Sequence, residues 1–96
     1  MIKHIVMWQV KGDAVDEHCN DIKTRLEQLP GMIPQIREYE VGINMRSSDR
    51  AFDIVLISSF DSQADLETYS AHPAHQEVVA FTRSVTTLAR FVDFEV

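Results

Sequence analysis

The sequence predicts an α+β fold of order β-α-β-β-α-β, an antiparallel-dominated sheet with its helices on one face. Three observations lead there. Four stretches alternate apolar and polar residues with the period of a strand. Two segments with apolar residues at three- and four-residue steps lie between the first and second and between the third and fourth of these stretches. Proline, glycine or short polar runs punctuate most of the junctions.

Ile2 to Val10 is the first strand. His4, Val6 and Trp8 share one face, and Lys3, Ile5 and Met7 the other. Gly12 and Asp13 break it, with Asp13 the expected N-cap of a helix whose inner stripe is Val15, His18, Cys19, Ile22, Leu26 and Leu29. "LPGMIP" stops that helix. Gln35 to Asn44 reads as a second strand, Tyr39 and Val41 on its apolar face and Glu38 and Glu40 on the other, which suits a sheet edge. Ala51 to Phe60 is the third and most apolar strand. Asp53, Val55, Ile57 and Ser59 lie on one side of it, and Ile54, Leu56 and Phe60 on the other. Asp61 or Ser62 caps the next helix, Pro73 divides it, and the second piece runs from about Ala74 to Val85. Leu88 to Val96 closes the chain as a fourth strand.

This order is a split βαβ arrangement, from which strands one and three are expected as parallel central neighbours. Helices on one face leave the other bare. Ile5, Met7, Ile54, Leu56, Val92 and Phe94 are the apolar residues expected there. Covering about six such side chains is worth on the order of 10 kcal/mol before entropy, so a homodimer packed sheet against sheet is expected.

A chain of 96 residues is one domain, 1–96, and 45% hydrophobic content makes it globular. The apolar runs are too short to span a bilayer, and no secretory signal is legible in the opening residues. A single cysteine rules out an internal disulfide and points to a reducing cytoplasm. Scattered lysines and arginines within a net charge of −6 argue against nucleic acid and membrane partners. The histidines and Cys19 lack zinc spacing, so no metal is expected and Cys19 reads as an inert core thiol. Ser47–Arg50 reads as a polar turn. No pattern for flavin, nicotinamide or haem is present, so no cofactor is implied.

The stretches "MIKHIVMW", "LPGMIPQIREYEVGINM", "SSDRAFDIVLISSFDS", "YSAHPAHQEVV" and "VDFEV" together resemble the stress-responsive dimeric α/β barrel (Dabb) family over essentially the whole chain. The resemblance implies a ferredoxin-like subunit whose dimer closes a β-barrel. Most members have no assigned activity. A plant polyketide cyclase in the family performs an intramolecular aldol condensation in a pocket between sheet and helices. By that resemblance His75 is the candidate general base, assisted by Tyr69, and His4 matches the cyclase's first-strand histidine. Asp53 and Leu26 replace a histidine and a tyrosine of the cyclase, and Trp8 and Tyr39 are bulkier than their counterparts, which implies a smaller, differently polar pocket.

The residues themselves argue for the same region. Asp53 is an odd choice in an apolar strand, and an unpaired buried carboxylate costs several kcal/mol. It is expected to pair with His4, either fixing strand register or orienting the imidazole of a site. His72 and His75 flank the proline break, where they serve as caps or, for His75, as a neutral imidazole at a helix N-terminus fit for a base. Taken with the resemblance, the expected ligand surface is Val6 and Trp8 of the first strand, Leu26 of the first helix, Tyr39 and Val55 of the middle strands, Val78 and Val79 of the last helix, and Phe91. Two functions stay open: an enzyme acting on a small apolar carbonyl compound by proton transfer or aldol chemistry, and a non-catalytic stress-associated dimer that binds a small ligand or serves structure.

Overall fold

In the computed structural model, which describes residues 1–96, the alternating opening segment forms β1 (Ile2–Val10). Gly12 turns the chain at φ +65°, a conformation other residues adopt only at a cost. Helix α1 (Val15–Glu27) follows. Its N-cap is Ala14 with no side-chain cap, so Asp13 does not take the role its residue type favours. A 3-10 turn at Leu29–Gly31, with Pro30 inside it, stops α1 and leads to β2 (Ile36–Ile43). β3 (Ile54–Phe60), α2 (Gln63–Ala71), α3 (Pro73–Val85) and β4 (Thr86–Glu95) complete the chain. Ser62 caps α2 by accepting the Asp65 N–H at 3.1 Å.

The sheet order is β2-β3-β1-β4. This is the ferredoxin-like arrangement, with β2 and β4 at the edges. Every pair is antiparallel, so the expectation of parallel β1 and β3 is corrected. The reason is topological. The crossover through α1 makes β1 and β2 parallel, and β3, returning from β2 and inserting between them, runs against both.

Direction alters register, and register alters faces. β1 pairs with β3 as His4 with Ser58, Val6 with Leu56 and Trp8 with Ile54. Directly paired residues share a face, so Ile54, Leu56 and Phe60 stand with His4, Val6 and Trp8 under the helices. Ile54 and Leu56 are 2% and 1% exposed. They belong to the core with Ile22, Leu26, Leu29, Ile33 and Val41. Their assignment to the outer face is therefore corrected, and Val55 and Ile57 take those places. The outer apolar face is Ile5, Met7, Val55, Ile57, Val92 and Phe94, in which Ile5 pairs with both Ile57 and Val92. Met7, Ile57, Val92 and Phe94 are exposed.

Asp53 precedes β3 and lies beyond reach of a His4 pairing. It extends the β1–β3 ladder instead. Its N–H donates to the Trp8 carbonyl at 2.9 Å, and its Oδ2 accepts the Val10 N–H at 2.7 Å. Cys19 is buried against the same turn, 3.8 Å from the Asp53 carbonyl oxygen. Burial, with Asp53 and Asp16 nearby, pushes its thiol up, which keeps it protonated and unreactive.

Leu56→Ala should cost about 2–5 kcal/mol in urea unfolding, as a core truncation does. Ser62→Ala should cost about 1 kcal/mol through loss of the cap. A Leu56→Ala variant with unchanged stability would contradict the face assignment.

Candidate functional site

Pro73 creates the site by splitting one helical segment into two. The break sits at His72, which is both the end of α2 and the N-cap of α3. The His72 N–H donates to the Tyr69 carbonyl at 3.2 Å, and its Nδ1 accepts the Ala74 N–H at 3.0 Å. Its ring is thus spent on the backbone, the cap reading of the sequence.

The same break aims His75 inward. Its Nδ1 lies 3.0 Å from the Ser70 carbonyl oxygen. A carbonyl only accepts, so Nδ1 carries the proton and Nε2 of the neutral ring holds the free lone pair. Burial lowers the His75 pKa from the ordinary histidine value, and nearby His4 and His72 lower it further. The Ser70 hydrogen bond opposes this without reversing it.

Tyr69 stacks beside that imidazole, with ring centroids 4.3 Å apart and tilted by 43°. It is 1% exposed and packs on Phe60 at 5.0 Å. Its hydroxyl lies 2.7 Å from that of Tyr39. Burial pushes both phenols up, Tyr69 to about 12 and Tyr39 further, so both keep their protons at neutral pH. Either hydroxyl can donate in this bond, and when Tyr39 donates the Tyr69 O–H is free to donate elsewhere.

His4 reaches the site from β1. Its ring stands 6.4 Å from Tyr69 and 6.1 Å from Phe91, edge-on and tilted respectively. Its partner is Asp93, directly opposite on β4, whose Oδ1 contacts His4 Nδ1. The carboxylate that orients His4 thus comes from the last strand, and the Asp53 assignment is corrected.

These side chains border a cavity of about 230 Å³ between the sheet and α3, partly open to solvent. His4, Tyr69 and His75 line it together. Of the expected ligand surface, Val6, Trp8, Leu26, Val78 and Val79 line it too. Tyr39 stands behind Tyr69 and acts on the cavity through the shared hydroxyl bond. Phe91 is on the correct face of β4, but it is 70% exposed at the sheet edge, where no helix covers it. Val55 is excluded, since it points to the opposite face with Met7.

Sequence reasoning missed Leu56, Thr82, Arg83, Thr86 and Ala89 in the lining. Thr82, Arg83 and Thr86 were legible, because Val78, Val79, Thr82 and Arg83 of α3 and its C-cap Thr86 continue from His75 at helical spacing. Thr82 and Thr86 donate their hydroxyl protons to the Val78 and Thr82 carbonyls, both at 2.8 Å. No group of three or more His, Cys, Asp or Glu side chains is placed to hold a metal ion. No helix is long and apolar enough to cross a membrane.

A four-stranded antiparallel sheet, helices on one side and a cavity between them define a ferredoxin-like α/β barrel subunit. The chain belongs to the stress responsive A/B barrel domain family, whose model matches residues 2–96. It is 33% identical over 79 residues to a stress-response A/B barrel domain-containing protein of Arabidopsis thaliana, covering 82% of this chain and 30% of that protein. The chain therefore spans under a third of that plant relative's length. An uncharacterized protein of Streptomyces coelicolor is 31% identical over 90 residues, 91% of this chain and 92% of that one. Among solved structures, a dimeric ferredoxin-like protein of unknown function from Bacteroides fragilis superposes with a TM-score of 0.88 at 31% identity, over 99% of this chain and 95% of that one. The hydroxynitrile lyase of Passiflora edulis superposes with a TM-score of 0.84 at 21% identity, over 97% and 90%, a likeness of fold.

The lowered His75 pKa has a thermodynamic consequence. Where the folded value lies below the unfolded one, the unfolded chain binds the proton first. The neutral ring's contribution to stability is complete above about pH 6.5, the unfolded histidine value, and is lost as pH falls through the lower folded value. Wild type should therefore lose more stability than His75→Gln across that window, as read by urea unfolding at successive pH values. His75 ring protons followed by NMR should titrate below the ordinary histidine midpoint.

Proposed function

We propose that the cavity binds a small carbonyl compound and that His75 removes a proton from the carbon next to its carbonyl. The observation that carries this reading is the His75 ring. It is half-buried at the cavity wall, its Nδ1–H is held by Ser70, and its second nitrogen is left free as a base. A base held neutral near physiological pH is what such a transfer requires. The C–H electron pair moves into the carbonyl, the proton goes to His75 Nε2, and the negative charge collects on oxygen. The Tyr69 O–H is the donor we assign to that charge, and the His4 ring, oriented by Asp93, is its neighbour and a second donor when both of its nitrogens carry protons. The resulting enolate then attacks a second carbonyl, as in aldol ring closure, or takes a proton back.

The alternative, a non-catalytic ligand-binding or structural dimer, is supported by the same fold without requiring His75 as a base. Deuterium exchange separates the two. Wild type in D2O should replace the methyl hydrogens of acetophenone-type probes faster than buffer does. His75→Ala should lower that rate by about 10²–10⁴-fold, and Tyr69→Phe by a smaller factor. Exchange no faster than buffer for every probe would leave the non-catalytic reading.

The assembly belongs to the same proposal. Several solved structures of this fold are of dimeric proteins. Here the outer sheet face presents Met7, Ile57, Val92 and Phe94 to solvent. We propose a homodimer through that face, because a second copy would cover it with an equal apolar surface. Sedimentation at micromolar concentration should give twice the 11.0 kDa chain mass. Ile57→Asp should give the single-chain value with the helical spectrum intact, and a dimeric Ile57→Asp variant would exclude this face.

A further inference from the structure

We infer that the cavity takes a ligand carrying a carboxylate as well as a carbonyl, with Arg83 as the anchor for the acid. This deepens the proposed reading of the same site. Arg83 lies in the last turn of α3 and lines the cavity at the end away from His75. Arg83 is a solvent-exposed residue at the cavity rim, and its guanidinium makes no ion pair and no hydrogen bond within the chain; Arg46 and Arg50 are also unpaired but lie away from this cavity, whereas Arg37 is paired with Asp61 and Arg25 sits over the Phe81 ring. A guanidinium presents a planar fork of donors that matches a carboxylate in two parallel bonds.

The rest of the lining agrees. The chain has 15 acidic and 9 basic residues, yet no carboxylate lines this cavity. Arg83 is its one permanently charged side chain. The Thr82 and Thr86 hydroxyl protons are committed to backbone carbonyls, so the unspent donors at that end belong to Arg83. A single guanidinium balances a monoanion, which favours a carboxylate over a doubly charged phosphate ester, the more so on a chain of net charge −6.

Spacing and volume restrict the ligand further. His75 and Arg83 are eight residues apart on one helix, a rise of about 12 Å at 1.5 Å per residue. Side chains on a helix lean toward its N-terminus, and the longer arginine leans further than the histidine, so the two heads can stand somewhat closer than that rise. The 230 Å³ cavity is smaller than those of drug-sized ligands, usually about 300–1,000 Å³. A single-ring or short-chain keto acid, carbonyl at His75 and carboxylate at Arg83, satisfies both limits.

The test uses para-acetylbenzoate, its neutral isostere para-acetylbenzamide, and para-acetylphenyl phosphate. Binding is read by NMR at the indole N–H of Trp8, the chain's one tryptophan, which lines the cavity. Wild type should bind the benzoate about ten- to a hundredfold more tightly than the amide, the range a charge-assisted hydrogen-bonded pair supplies. Arg83→Gln should bring the benzoate to the amide's affinity and leave the amide unchanged, and Arg83→Lys should keep part of the preference. His75→Gln should keep the acid preference, since the anchor does not depend on the base. Equal wild-type affinity for acid and amide, tighter binding of the phosphate than the benzoate, an unaltered benzoate affinity in a folded Arg83→Gln variant, or no saturable shift with any probe would each overturn the inference. Acid binding through Arg83 without any catalysed exchange would sustain the anchor and sink the base.

Discussion

The antiparallel ladder between β1 and β3 governs most of what this molecule can do. It places Val6 opposite Leu56 and His4 opposite Ser58, and so decides which half of each strand meets the helices. β1 contributes to both surfaces, with His4, Val6 and Trp8 toward the cavity and Ile5 and Met7 toward the bare face. A slip of one residue would exchange the two sets and destroy the core and the site together. Asp53 helps hold the ladder by accepting the Val10 N–H where the strands part.

A second constraint is the proline break between α2 and α3. An unbroken helix would keep its N–H groups paired and leave His75 a mid-helix residue. Pro73 frees the turn, His72 closes it from both sides, and the Ser70 carbonyl becomes available to fix the His75 tautomer. Tyr69, one turn earlier, stacks on that imidazole and is held by Tyr39 from β2. The site is thus a joint product of a helix break and two strands, with His4 and its partner Asp93 supplied by β1 and β4.

The cavity is polarised along α3. The imidazoles and the phenol gather at the start of the helix, and the cavity's one guanidinium stands near its end. Between them along the helix lie Val78 and Val79, and Val6 and Trp8 of β1 line the same space. A helix is a natural ruler for such a division, since residues of the His75 stripe recur on the same side at each turn.

Much of this was legible in the residues taken alone. Strand period, helix period and the proline break follow from local sterics and from burial of alternating side chains, so β1 to β4, a cap at Asp61 or Ser62 and the split at Pro73 could be read directly. His4, Tyr69 and His75 were legible as a group through their motifs. The inward face of β3 was not. Asp53, Val55 and Ile57 alternate as regularly as Ile54, Leu56 and Phe60, and alternation defines two faces without naming the inner one. That choice was made by strand direction, which is a property of three chain segments packed together. Direction also assigned His4 to Asp93 rather than Asp53, because residues distant in the chain become neighbours only when the ladder's sense and register are set.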